Sequence, residues 1–102
     1  MKININNKEI DLIYYHSFFK KLIGFMFKKA KITNGICFIK TNSIHTFFML
    51  QKIDVLMTDK LNNILYAYPN FPPNKIIMPK KDVYYTYELP LNTIKNKNNK
   101  FF

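Results

Sequence analysis

The sequence contains no arginine and no tryptophan, a single cysteine, two glycines and only six carboxylates. Each shortage closes a class of function. Arginine forks onto phosphates and guanine edges, so its absence argues against a nucleic-acid partner even though sixteen lysines leave a formal charge of +10. Cys37 alone permits neither an intrachain disulfide nor a cysteine pair for zinc, and fits a reducing compartment. No apolar run approaches the roughly 18 residues of a membrane span. The opening Met-Lys-Ile-Asn-Ile-Asn-Asn-Lys-Glu lacks the apolar stretch of a secretory signal, so a soluble, cytoplasmic protein with no membrane contact is expected. There is no phosphate-binding loop, no nucleophile at a recognisable spacing, and no ligand pair such as Cys-x-x-Cys, so neither metal nor cofactor is expected.

What the chain does have is apolar mass. Of 102 residues 48% are hydrophobic, including 10 Phe and 7 Tyr, which is ample for one core. The abundance of Lys, Asn and Ile is the mark of AT-rich codons more than of a selected basic surface. A single globular domain over residues 1–94 is expected, followed by a frayed Lys- and Asn-rich tail at 95–102.

Along the chain, Lys2 to Ile5 alternates, Asn6-Asn7 offers turn chemistry and Glu9 to Tyr15 resumes as β-prone sequence, predicting a hairpin. Phe18, Leu22, Phe25 and Met26 recur at helical spacing behind Ser17 as N-cap, predicting a helix over about Phe18 to Lys28, with Gly24 allowing close approach of another backbone. Strands follow at Ile36 to Ile39, through the central stretch from Ser43 to Asp59, at Ile64 to Tyr68 and at Val83 to Leu89. Four prolines make the region from Pro69 to Lys81 mostly irregular. The expected class is α+β, dominated by β: a small curved antiparallel sheet or partly closed barrel with one packed helix.

Several stretches together resemble one family. Asn42-Ser43-Ile44-His45-Thr46-Phe47-Phe48-Met49, then Ile53-Asp54-Val55-Leu56 and Asp59, are similar to the signature of domain-of-unknown-function family 192, also called uncharacterised protein family 0127. Gly24-Phe25-Met26, Gly35-Ile36-Cys37-Phe38, Asn70-Phe71-Pro72 and Glu88-Leu89-Pro90 fall in the matching order. The resemblance runs from about Tyr15 to Ile94. Gln51-Lys52 stands where the family has Phe-Pro, and Asn92 near its Gly after Glu-Leu-Pro. The family's C-terminal extension has no counterpart, which leaves closure of the sheet open. The resemblance implies a compact β-dominated α+β fold and no established reaction.

Three ionisable residues lie in apolar, strand-like sequence at family positions: His45, Asp54 and Glu88. Carboxylates in a low-dielectric cleft beside a histidine could serve as acid and base of a small hydrolase or lyase. The competing reading makes Asp54 and Glu88 acceptors for backbone N–H groups at a bulge and a turn, with His45 a satisfied partner. Phe48, Met49 and Asp59 are candidate ligand-binding residues, although core is the better role for Phe47, Phe48 and Met49. A metal set of His45, Asp54, Asp59 and Cys37 lacks ligand spacing. Tyr84, Tyr85 and Tyr87 put two rings on one face and one on the other, a pattern that beside lysines can stack single-stranded nucleic acid. The leading expectation is a non-catalytic binding or accessory module for a small molecule or protein that the sequence does not name, in an oligomeric state it does not specify.

Overall fold

Alternation decides the first pairing. Lys2–Ile5 (β1) buries Ile3 and Ile5, Lys8–Tyr15 (β2) buries Ile10 and Leu12, and the two run antiparallel with Ile3 opposite Ile10. This hairpin matches the sequence reading. The computed structural model describes residues 2–5, 8–16 and 24–94, so the residues at its tip and the tail from 95 lie outside the described residues.

The interior strands are the most deeply buried. Gly35–Ile39 (β3), Ile53–Thr58 (β5) and Tyr85–Leu89 (β8) are buried almost throughout, because each has neighbours on both sides and cores on both faces. With Ile64–Phe71 (β6) they complete a six-stranded sheet in the order β1-β2-β3-β8-β5-β6. Two short strands, Ile44–His45 (β4) and Ile76–Ile77 (β7), form a separate ribbon. The sheet curls into a half-barrel. Two register shifts between β5 and β6, near Asp54 and near Thr58, add twist along that pair.

Two apolar clusters occupy the two faces. One gathers Phe25, Ile36, Phe38, Met49, Val55 and Met57, the other Ile10, Leu12, Cys37, Leu56, Tyr87 and Leu89. Alternation in β8 therefore sends Thr86 and Glu88 to the first face and Tyr85, Tyr87 and Leu89 to the second.

Three expectations need correction. The fold is β rather than α+β: among the described residues there is no helix. Residues 24–27 of the expected helix form a turn, with Gly24 at φ +49 and Phe27 at φ 63, while 17–23 lie outside the described residues. Gly24 and Phe27 hold the left-handed backbone that a right-handed helix does not contain, and Gly24 there lies against the Glu88 side chain of β8. The sheet is also not wholly antiparallel, since β2 and β3 pair in parallel, with Leu12 opposite Gly35. Finally, β6 continues through Pro69 to Phe71. Proline is tolerated there because β6 is the last strand of the sheet and one side of it needs no donor.

Candidate functional site

The turn at residues 24–27 lies over Glu88. A Cβ built on Gly24 would come within 3.1 Å of Glu88 Oε1 and 3.3 Å of the Phe38 ring, so the close approach that glycine allows here is to side chains. Glu88 is 3% exposed, and its Oε1 has no hydrogen-bond partner among the described residues. Burial pushes its carboxyl up to about 8, against the Phe25 N–H, which favours the charged form. At neutral pH this is a largely protonated acid in an apolar wall.

The same turn carries an aromatic side chain out into solvent. Phe27 is 63% exposed and stacks on Phe48, 59% exposed, with ring centroids 5.5 Å apart and planes at 27°. Both hold left-handed backbone, φ 63 and φ 64, which costs an L-residue about 1–2 kcal/mol each. Their strain is held by bonds. Phe27 N–H donates to the Phe48 carbonyl at 3.0 Å, and Phe48 N–H donates to Asn74 Oδ1 at 3.1 Å. Phe47 and Leu50, on the same loop, are exposed as well.

Two polar hubs, Thr46 buried and Gln51 half-buried, clamp that loop. Thr46 Oγ1 donates to the Pro72 carbonyl at 2.8 Å and accepts the Lys75 N–H at 2.9 Å, while the Thr46 carbonyl accepts the Asn74 N–H. At the other end, Gln51 Nε2 donates to the carbonyls of Lys28 and Ala30, and its Oε1 accepts the Ile32 N–H. Loop 46–51 is thus fastened to 72–75 and to 28–32. Sequence reasoning missed both hubs, because a threonine in a β-prone run and a glutamine at a bend carry no distinctive local signal. It also missed Phe27, absorbed into a helical pattern.

The residues the sequence singled out are dispersed. Asp54 is opposite Leu89 on the second face, whereas Glu88 points into the first, so the two carboxylates lie on opposite sides of the sheet. Asp54 Oδ1 accepts the Asn70 N–H at 2.8 Å and Oδ2 the Ile94 N–H at 2.6 Å, tying the β5 bulge and the chain after β8 to one side chain. His45, in the separate ribbon, accepts the Phe47 N–H on Nδ1 at 3.2 Å and stacks on the Phe47 ring. The structure does not bring the three together. Asp59 is a turn staple: Oδ1 accepts the Leu61 and Asn63 N–H groups, and the Asn63 side-chain amide is the main reason its carboxyl lies below the usual range.

Met49 is core, as expected, whereas Phe47 and Phe48 are not, since the left-handed residue at 48 breaks the alternation that would have turned one ring inward. Cys37 is fully buried and its thiol is pushed up to about 12 by burial, so it is neither nucleophile nor ligand at neutral pH. Among the described residues no three His, Cys, Asp or Glu side chains are grouped so as to hold a metal ion. No helix of the described chain is long and apolar enough to cross a membrane.

Fold and site together define a curled β-sheet protein that displays two aromatic residues of left-handed backbone, one on a turn and one on a clamped loop. No known family's sequence profile matches the chain, and no curated protein matches it by sequence. Two solved structures share its fold. One is a protein of unknown function from Novosphingobium aromaticivorans, with a TM-score of 0.77 and 9% identity, covering 99% of this chain and 81% of that one. The other, from Sinorhizobium meliloti, was proposed to be a transcription regulator; its TM-score is 0.77 at 15% identity, over 99% of this chain and 89% of its own. Likeness at such identities shows the fold alone.

Proposed function

We propose that this protein is a non-catalytic binding module whose contact point is the stacked pair Phe27 and Phe48. The carrying observation is the pair's geometry: two aromatic residues, both left-handed and both exposed, are held stacked by a bond between their backbones and by Asn74. Together they cost the fold about 2–4 kcal/mol, a sizeable share of the roughly 5–15 kcal/mol that stabilises a small domain. Strain of that kind clusters at sites of function, and covering each ring would recover on the order of 2 kcal/mol. An apolar or aromatic group of a small molecule or protein fits the surface. An acid–base reading finds less support, because its carboxylates occupy opposite faces and Glu88 lies beneath Gly24 and Phe38.

Membership of domain-of-unknown-function family 192 belongs to this proposal too. It rests on the ordered stretches from Tyr15 to Ile94 and is supported by Asn92, which holds φ 67 near the family's glycine.

Amide chemical-shift mapping with a set of aromatic and aliphatic fragments tests the binding reading. Shifts should gather at Phe27, Phe47, Phe48 and Leu50 and vanish in Phe48→Gly. Shifts gathered elsewhere, or none at all, would reject it.

A further inference from the structure

The far edge of the sheet offers a second surface, independent of the aromatic pair. Among the described residues β6 is the last strand in the order and pairs only with β5. Which of its backbone groups face outward follows from register. The Thr58 carbonyl accepts the Tyr84 N–H, so Thr58, and by alternation Leu56 and Asp54, turn their backbone groups to β8, leaving those of Met57 and Val55 for β6. Their partners Tyr66 and Tyr68 therefore face inward, and Ala67, opposite Leu56, points its N–H and C=O away from the sheet. Pro69, one alternation further on, has no N–H to present. This agrees with an outward position.

Natural edge strands are defended by lysine, by an inward charge or by cover. Among the described residues, β6 has little of this. From Leu61 to Asn74 no residue is charged, in a chain where charged residues make up 22%, and Pro69 blocks only one end. A groove of about 370 Å³ runs along Ile64, Leu65, Tyr66, Ala67 and Tyr68. Tyr66 and Tyr68 stack along one side of the strand, centroids 6.4 Å apart and planes at 17°, spaced to receive alternate side chains of an added strand. Lys80 Nζ lies 5.4 Å from the Tyr66 ring centre, and Lys60 and Lys75 bracket the uncharged run.

We propose that β6 is a strand-addition site for an extended acidic peptide segment of a partner protein, which would hydrogen-bond to Ala67 and set alternate apolar side chains against Tyr66 and Tyr68. Charge selects this occupant. A formal charge of +10 and the flanking lysines favour an acidic strand and set a second copy of the same chain against its own charge.

The test uses the full chain and two labelled peptides of sequence Glu-Val-Glu-Tyr-Glu-Val-Glu-Tyr, one unmodified and one N-methylated at every residue, so that neither of its edges keeps the N–H groups of a strand. They share charge and side chains, but the methylated one cannot complete a ladder. The unmodified peptide should slow exchange of the Ala67 amide about tenfold and bind more weakly at high salt, while the methylated one should do neither. Phe48→Gly should leave this binding unchanged, so failure here and failure of the aromatic-pair reading are distinguishable. Equal binding of both peptides, or of neither, would overturn the proposal. So would an Ala67 amide already protected in a concentration-dependent dimer, or one protected equally well by an oligothymidylate strand.

Discussion

Gly24 closes over Glu88: a Cβ at residue 24 would stand 3.1 Å from an Oε1 that has no hydrogen-bond partner among the described residues. The contact joins the turn carrying Phe27 to the middle of the sheet, so it links the stability of the core to the presentation of the aromatic pair. Gly24→Ala should cost about 2 kcal/mol, part from the left-handed backbone at φ +49 and part from displacing the carboxyl. Urea denaturation reads this directly. An unchanged midpoint would mean that the turn shifts freely.

Glu88 makes stability depend on pH in the opposite sense to a salt-bridged carboxylate. Its folded pKa of about 8 lies above the ordinary 4.5, so the native state holds a proton that the unfolded chain has lost. Stability should be fullest below about pH 4.5 and fall toward pH 8, by about 1.4 kcal/mol per pH unit at most. Urea midpoints at pH 5 and pH 8 for the parent and Glu88→Gln measure it. The parent should lose stability over this window relative to the variant; parallel profiles would show that relaxation or water already accommodates the charge.

Asp54 holds two distant backbone N–H groups with one carboxylate. Asn in its place keeps one acceptor and turns an N–H2 toward the other donor, so Asp54→Asn should cost about 2–4 kcal/mol at neutral pH. A variant as stable as the parent would separate this carboxylate from the fold and return it to the list of functional groups.

Phe48 gives the reverse expectation. Replacing an exposed, left-handed phenylalanine with glycine removes strain and little packing, so Phe48→Gly should be neutral or stabilising by up to about 1 kcal/mol while abolishing fragment binding. Marked destabilisation would make the ring part of the fold.

Gln51 should behave as a clamp. Gln51→Ala leaves the Lys28 and Ala30 carbonyls and the Ile32 N–H without their protein partner, at a cost of about 1–3 kcal/mol. Exchange should quicken at Ile32 before it does in β5. Uniform loosening of the sheet instead would show that loop and core unfold as one.

The sequence by itself determined the elements whose signals are local. Period-two alternation marked β1 and β2, a short apolar run marked β3, an apolar-dominated stretch marked β5, and Asn92 could take a left-handed turn because asparagine tolerates that backbone. The reading of Asp54 as a bulge acceptor was likewise legible, since a carboxylate in a strand that buried has few other ways to be satisfied. Tertiary structure decided the rest. Only the fold could bring Glu88 under Gly24, put Asp54 and Glu88 on opposite faces, or pair β2 with β3 in parallel. Only the fold could set Phe27 against Phe48, because that contact depends on clamps from Thr46 and Gln51 to segments distant in the chain. Periodicity records which way a side chain points along one strand; what it meets there is set by strands whose order in the sheet is not their order in the sequence.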